Sequence, residues 1–464
     1  MSRFVRVVPA VLVLALTVPA CGTGGAQGTP GGSGVRDPYF PKAGNGGYDV
    51  THYDLTLAYT PASRHLTGRT VITARATQDL SAFNLDLKGL DVEQVTVGGS
   101  TARWNRTGQE LTIRPRDDLA EGSTFRVAVR YSGTPVTITD PDGSEEGWLP
   151  TADGALALGQ PTGSTAWFPG NHHPSDKATY DLAVTVPKGL RAVSNGELTS
   201  ETTTGGRTAS TWRTTAPMAS YLVTLAVGRY DITRSTTDDG LPVYTAVDPA
   251  ETPASRAVLA RIPEVLAWAE DRFGPYPFSS AGAIVERADD AGYALETQSR
   301  PVFPGAPNVQ LLVHELAHQW YGDSVSPRTW QDMWLNEGFA TYAEWLWEED
   351  HGGETAQQIF DALHDHGEDI YDDLWAFPPA KPASAAHISD TPVYQRGAMV
   401  LHKIRQAVGD DTFHDIVRGW AAAHRHGNAD TEDFTTYVEK QAPDQDFDRI
   451  WDDWLYGDGK PSRA

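Results

Sequence analysis

From Tyr48 the chain alternates between apolar and polar positions. Tyr53, Leu55, Leu57 and Tyr59 are separated by Asp54, Thr56 and Ala58, the period of two that gives a strand one buried face. Val92 to Val97, Phe125 to Tyr131, Tyr180 to Val186 and Tyr221 to Val227 read similarly, with Gly, Pro and Asn-Gly turns between them. The period changes near residue 240. Ser255 to Phe273 has helical spacing, ended by Phe273-Gly274-Pro275-Tyr276-Pro277. From Val309 helices dominate, over 309–322, 336–350, 355–372, 395–408, 411–425 and 431–441, and Phe447 to Tyr456 forms a short last one. No segment repeats. The pattern predicts a multidomain α+β chain: a β domain over 48–240, then a mainly helical domain with a small sheet over 241–464.

The first 47 residues follow other rules. Arg3 and Arg6 precede an apolar run from Val7 to Val18, of signal-peptide length and too short for a comfortable span. Val18-Pro19-Ala20-Cys21 is similar to a bacterial lipoprotein cleavage box, with an unusual Pro at its second position. Cys21 is the only cysteine of the chain, so disulfides do not stabilise the fold. Residues 1–21 are therefore expected to be a signal peptide, with membrane attachment through lipidated Cys21. That places the protein outside the cytoplasm, as a cell-membrane lipoprotein or, with cleavage elsewhere, a secreted protein. Residues 22–47, rich in Gly, Ser, Thr, Pro and Gln, are expected to be a flexible linker. The remaining length is enough for two or three domains, each with its own core. Against 37 Lys and Arg stand 61 Asp and Glu, a net charge of -24. That surface repels phosphate backbones, so nucleic acid is excluded as a partner class.

The chemistry concentrates in His314-Glu315-Leu316-Ala317-His318, inside a predicted helix. Residues four apart share a helical face, so both imidazoles reach one metal ion while Glu315 points at a water on it. Two core histidines and an incidental glutamate would give the same five letters. A zinc site needs a third protein ligand and an open position. Glu337, at the start of the next predicted helix, stands nineteen residues beyond His318, and Gln319 to Leu335 suit the loop that folds the second helix back on the first.

His314-Glu315-Leu316-Ala317-His318-Gln319-Trp320-Tyr321-Gly322, followed by Trp334-Leu335-Asn336-Glu337-Gly338-Phe339-Ala340, resembles the aminopeptidase N family of zinc metallopeptidases. The resemblance covers residues 48 to 458. It implies a saddle-like β domain on a thermolysin-like catalytic domain, in a short form without the helical domain that follows in larger relatives. It also implies one zinc ion per chain on His314, His318 and Glu337, with Glu315 as general base. The expected activity is hydrolysis of N-terminal residues from peptides with a free N-terminus.

Three further positions carry over. Gly292-Tyr293-Ala294-Leu295-Glu296-Thr297 matches the family's Gly-x-Met-Glu-Asn segment, which puts Glu296 on the substrate amine, although Tyr293, Leu295 and Thr297 depart from the usual residues. Gln160 matches a second amine-binding position. Thr162 stands where a further acid belongs, which weakens the exopeptidase reading. Val393-Tyr394-Gln395-Arg396-Gly397-Ala398-Met399 is similar to the family's Tyr-Glu-Lys-Gly-Ala segment, and makes Tyr394 the hydrogen-bond donor to the oxyanion. A thermolysin-like endopeptidase on the same zinc site is the first alternative, and a non-catalytic surface binding module the second. Asn171-His172-His173, His364, His366, His387 and the Trp334, Trp345 and Trp347 group are expected to be structural.

Overall fold

The computed structural model describes residues 27–463, so the signal-like segment and Cys21 lie outside the described residues. The strand Tyr48–Thr60 buries Val50, Tyr53, Leu55, Leu57 and Tyr59, and it occupies the centre of an eight-stranded sheet. It pairs antiparallel with His65–Ala76 and parallel with Lys177–Pro187, Leu55 opposite Leu182. Parallel neighbours need a long crossover. Here the crossover supplies three strands of a four-stranded sheet, ordered Thr29–Pro30, Leu80–Asp86, Glu110–Arg114, Arg103–Thr107, whose first strand precedes Tyr48, and part of a five-stranded one. The inner strands of the latter, Ala155–Leu158 and Leu225–Gly228, are buried at every residue, so they lack alternation. The predicted strand at Tyr221 begins instead as a 3-10 turn, Ser220–Leu222, and becomes extended only at Leu225.

A second four-stranded sheet, ordered Asp231–Thr236, Pro242–Val247, Ala281–Glu286 and Val302–Pro304, opens the helical half. It starts before the expected boundary, which falls inside its first hairpin. The predicted helix Ser255 to Phe273 is two helices, α1 (Thr252–Leu259) and α2 (Ile262–Phe273). Pro263 sits in the first turn of α2, where its missing N–H costs nothing. The others are α3 (Val309–Ala317), α4 (Trp334–Asp350), α5 (Ala356–His366), α6 (Gly397–Val408), α7 (Asp410–Ala423) and α8 (Thr431–Gln441). α3 is capped by Asn308, whose side chain accepts from Leu311 N at 2.8 Å. It stops short of the predicted residue 322 because the chain turns under it: Asp323 N donates to His318 O at 3.0 Å, and Gly322 takes φ +128°. Among the described residues no helix is long and apolar enough to cross a membrane.

The expected flexible linker is built into the fold from Gln27 onward, a correction to the compositional reading. Thr29–Pro30 adds to the four-stranded sheet beside Leu80. Asp37, 2% exposed, accepts from Tyr39 N, Phe40 N and Trp330 N, each at 2.8 Å, and from His173 Nε2 at 3.2 Å. Tyr39 OH donates to Pro382 O at 2.6 Å. The strap thus clips the β half to the helical half. Its glycines serve close approach: a Cβ on Gly28 would meet Leu80 C at 2.4 Å, and one on Gly31 would meet Gly46 O at 2.4 Å.

Other ties cross the same boundary. Lys177 Nζ, from the central sheet, donates to Asp323 O, Ser324 O and Gly427 O at 2.8, 3.0 and 3.2 Å. Arg300 lies 4.8 Å from the ring centroids of both Trp212 and Tyr244. Asn171, His172 and His173 knit the β half: Asn171 accepts from Asn45 N at 2.6 Å, and His172 Nε2 donates to Phe168 O at 2.9 Å. These contacts fix the β half against the turn that follows α3, next to the histidine pair.

Candidate metal centre and the cleft around it

α3 presents His314 and His318 on one face, and α4 runs against it with Glu337 in its first turn. The Nε2 atoms of His314 and His318 each lie 3.3 Å from Glu337 Oε2. Both Nδ1 atoms are occupied from behind, His314 by Glu344 Oε1 at 2.7 Å and His318 by Tyr321 O at 3.0 Å. A carboxylate and a carbonyl only accept, so each Nδ1 carries the proton and each Nε2 offers a lone pair to the centre. Two nitrogens and one carboxylate oxygen are a catalytic zinc donor set with a fourth position free. Ligands about 2.0–2.1 Å from one tetrahedral ion lie about 3.3 Å apart, the spacing these atoms already have. The residues fit the metal.

The electrostatics agree. Burial opposes charge on His318, yet Glu337 and Glu296 outweigh it and push the imidazole up to about 9. Glu337 is held below the usual carboxylate range: burial would raise it, but the two imidazoles prevail. The centre is thus an anionic hole that favours a cation.

The remaining predicted residues ring the same space. His314, Glu315, His318, Glu337, Glu296, Gln160 and Tyr394 all line one cavity of about 560 Å³. Ligand atoms of Glu296, Glu315 and His318 lie within 4.8 Å of one another. Glu315 is 4% exposed and its Oε2 has no hydrogen-bond partner; burial pushes the carboxyl up to about 8, against the pull of both imidazoles. With its amide nitrogen toward Glu296, Gln160 donates to Oε1 at 3.0 Å and Oε2 at 3.3 Å. Tyr394 stacks near His314, ring centroids 6.0 Å apart, in a single π-helical turn, Pro392–Arg396, that leads into α6. Such turns re-aim a side chain within a helix. α4 and α6 approach closely enough for this because two glycines meet: a Cβ on Gly338 would stand 2.9 Å from Gly397 C. Thr162 turns away, its Oγ1 donating to buried Glu146 Oε1 at 2.8 Å.

Sequence reasoning missed the residues that hold this set. Glu344 lies seven positions after Glu337, two turns along the same face of α4, a spacing legible only once Glu337 is a ligand. Gln319 joins α3 to the Glu296 segment: its Oε1 accepts from Ser299 N at 2.6 Å and its Nε2 donates to Glu296 O at 3.2 Å. The carbonyl of Tyr321, a backbone group, leaves no trace in sequence.

The chain is similar to known proteins over both of its halves. The Peptidase M1 N-terminal domain model matches residues 50–222, and the Peptidase family M1 domain model matches 297–454. Aminopeptidase 2 of Candida albicans is 25% identical over 458 aligned positions, covering 88% of this chain and 47% of its own length. Glutamyl aminopeptidase of Sus scrofa is 25% identical over 454, covering 88% and 47%. The chain thus spans about half the length of these curated relatives. A mutant M1 zinc metallopeptidase from Deinococcus radiodurans, solved with a Tyr-Ser-Ala substrate, matches over 92% of this chain and 99% of its own, with 30% identity and a TM-score of 0.84. With both domain models in order and a solved relative matched end to end, the chain belongs to the M1 family of zinc metallopeptidases.

Proposed function

We propose that the protein is a zinc-dependent aminopeptidase that removes N-terminal residues from peptides. One observation carries the reading: a buried carboxylate, Glu296, closes the cavity beside the general-base candidate Glu315, with the Gln160 amide on it. A free ammonium is the natural partner of such an anion. Zinc on His314, His318 and Glu337 would supply an acidified water and polarise the scissile carbonyl. Glu315 takes the proton of the attacking water and returns it to the leaving amine. The Tyr394 phenol donates to the oxyanion as negative charge develops. Glu296 and Gln160 set the register, so the bond cut is the first one.

The endopeptidase alternative draws on Thr162, which leaves a single carboxylate at the amine end. A panel of free-amine aminoacyl fluorogenic substrates and their N-acetylated forms, run with and without a chelator, separates the two. Chelator-sensitive turnover confined to the free amines is expected; equal cleavage of acetylated substrates would assign the endopeptidase.

Export is proposed from the Arg3, Arg6 and Val7–Val18 pattern, with lipidation at Cys21 tethering the enzyme outside the cytoplasm. Labelled fatty acid should enter the native chain and not Cys21→Ser; label retained in the variant removes the anchor.

A further inference from the structure

The cavity continues past the metal centre, and its far wall has a distinct charge. Asp140, Asp142 and Glu145 line it together with Tyr293, and none of its lining residues is Lys or Arg. These acids come from the tip of the hairpin between Thr137–Thr139 and Glu145–Pro150. The turn is rigid: Gly143 N donates to Asp140 O at 2.9 Å, and Asp142 Oδ1 accepts from Ser144 N at 2.8 Å and Ser144 Oγ at 2.7 Å.

Asp140 is the buried member, 8% exposed, and its carboxylate is hydrogen-bonded to the Glu146 carboxyl. Behind it lies Glu146, fully buried and bound by Thr162 N, Thr162 Oγ1 and Gly163 N. Burial pushes both carboxyls above their usual range, and Lys88, which does not line the cavity, is the cation that acts on Asp140. Two carboxyls in hydrogen-bond contact share a proton, so the pair presents its negative charge on the Asp140 side, where the cavity lining holds no cation.

The wall adjoins Gln160. Tyr293 OH lies 3.4 Å from the carbonyl oxygen of Gln160, and the Tyr293 phenol feels Glu146, Asp140, Glu296 and Asp142 together. A peptide whose ammonium sits on Glu296 and whose first carbonyl faces the metal places its first side chain in the same cavity as this wall. The pocket offers an aromatic flank for an aliphatic stem and carboxylates for the head group beyond it.

We propose that this wall selects peptides whose first residue is cationic, arginine or lysine, through Asp140 and Asp142. The inference rests on the aminopeptidase reading and names its substrate class. An acidic first residue meets like charge and is the worst fit.

The test uses the full zinc-loaded chain and aminoacyl coumarins of Arg, Lys, Leu, Ala and Glu. Arg and Lys are expected to exceed Leu about tenfold in kcat/KM, with Glu slowest. In Asp140→Asn, and in the exposed-site variant Asp142→Asn that does not disturb buried packing, the Arg-to-Leu ratio should fall several-fold or more, mainly through KM. The ratio is insensitive to a loss of folded enzyme. Good turnover of Leu and Ala with Arg slower, or an Arg-to-Leu ratio unmoved in both variants, overturns the pocket and leaves the aminopeptidase reading standing. No turnover of any free-amine substrate overturns both.

Discussion

The Glu315→Gln variant is expected to keep its zinc and lose about a thousandfold in kcat. The two parts of that result have separate causes. The proposed zinc donors are His314, His318 and Glu337, whose atoms are fixed by Glu344 and the Tyr321 carbonyl and not by Glu315. The amide has nearly the volume of the carboxylate, so a site that is 4% exposed is neither emptied nor overpacked. What changes is the carboxylate, whose Oε2 no donor within the protein occupies. An amide there has no basic lone pair able to take a proton. Metal content by atomic emission and the thermal midpoint should match the native enzyme while turnover collapses. Near-native activity in a zinc-loaded variant would remove Glu315 from the chemistry, and a lost metal would mean that the carboxylate helps to shape the site.

The ligands were legible from sequence because helix geometry is regular. His314 and His318 are one turn apart, and Glu337 opens the next helix, so three letters and two intervals specify most of the centre. The carboxylate behind His314 was not legible. Glu344 becomes meaningful only when α3 and α4 are seen side by side, an arrangement set by packing between the two helices. The acid wall was hidden for a different reason. Asp140-Pro141-Asp142-Gly143 reads as an ordinary turn, and nothing in its sequence says that the turn closes a cavity formed by residues more than a hundred positions away. The strap misled in the opposite direction. Gly-rich composition is shared by chains that stay loose and by chains that must pass close to other backbone, and only the partners of Asp37 distinguish the two.

Thr162 shows how one departure from a family pattern is absorbed. The missing acid is not replaced in the cavity; instead the hydroxyl and backbone N–H at 162 hold Glu146, which backs Asp140. On the proposed reading the amine then rests on Glu296, and selectivity for a free N-terminus is a property of that one residue.

Replacing Glu296 by Ala should therefore lower kcat/KM for free-amine substrates about a hundredfold and leave the slow cleavage of N-acetylated peptides where it was. Glu296 is 3% exposed, and its carboxyl is pushed up to about 6, chiefly by burial, with Glu337 adding and His318 opposing. A buried anion hydrogen-bonded to an ammonium contributes about 1.5–3 kcal/mol. Its removal also strands the Gln160 amide, now without the oxygens at 3.0 and 3.3 Å, and the two losses together reach about 2.7 kcal/mol, the hundredfold. The zinc site should be intact, since the Glu296 carboxylate, although within 4.8 Å of the His318 ring nitrogen, makes no hydrogen bond to His314, His318 or Glu337. Glu296→Gln refines the point, because it keeps the shape and one acceptor and drops the charge: an intermediate rate says that geometry and charge both count. Acetylated and free peptides cut alike by the native enzyme, with Glu296→Ala harmless, would mean that the cavity reads no N-terminus, and the buried carboxylate would need another cation as its partner.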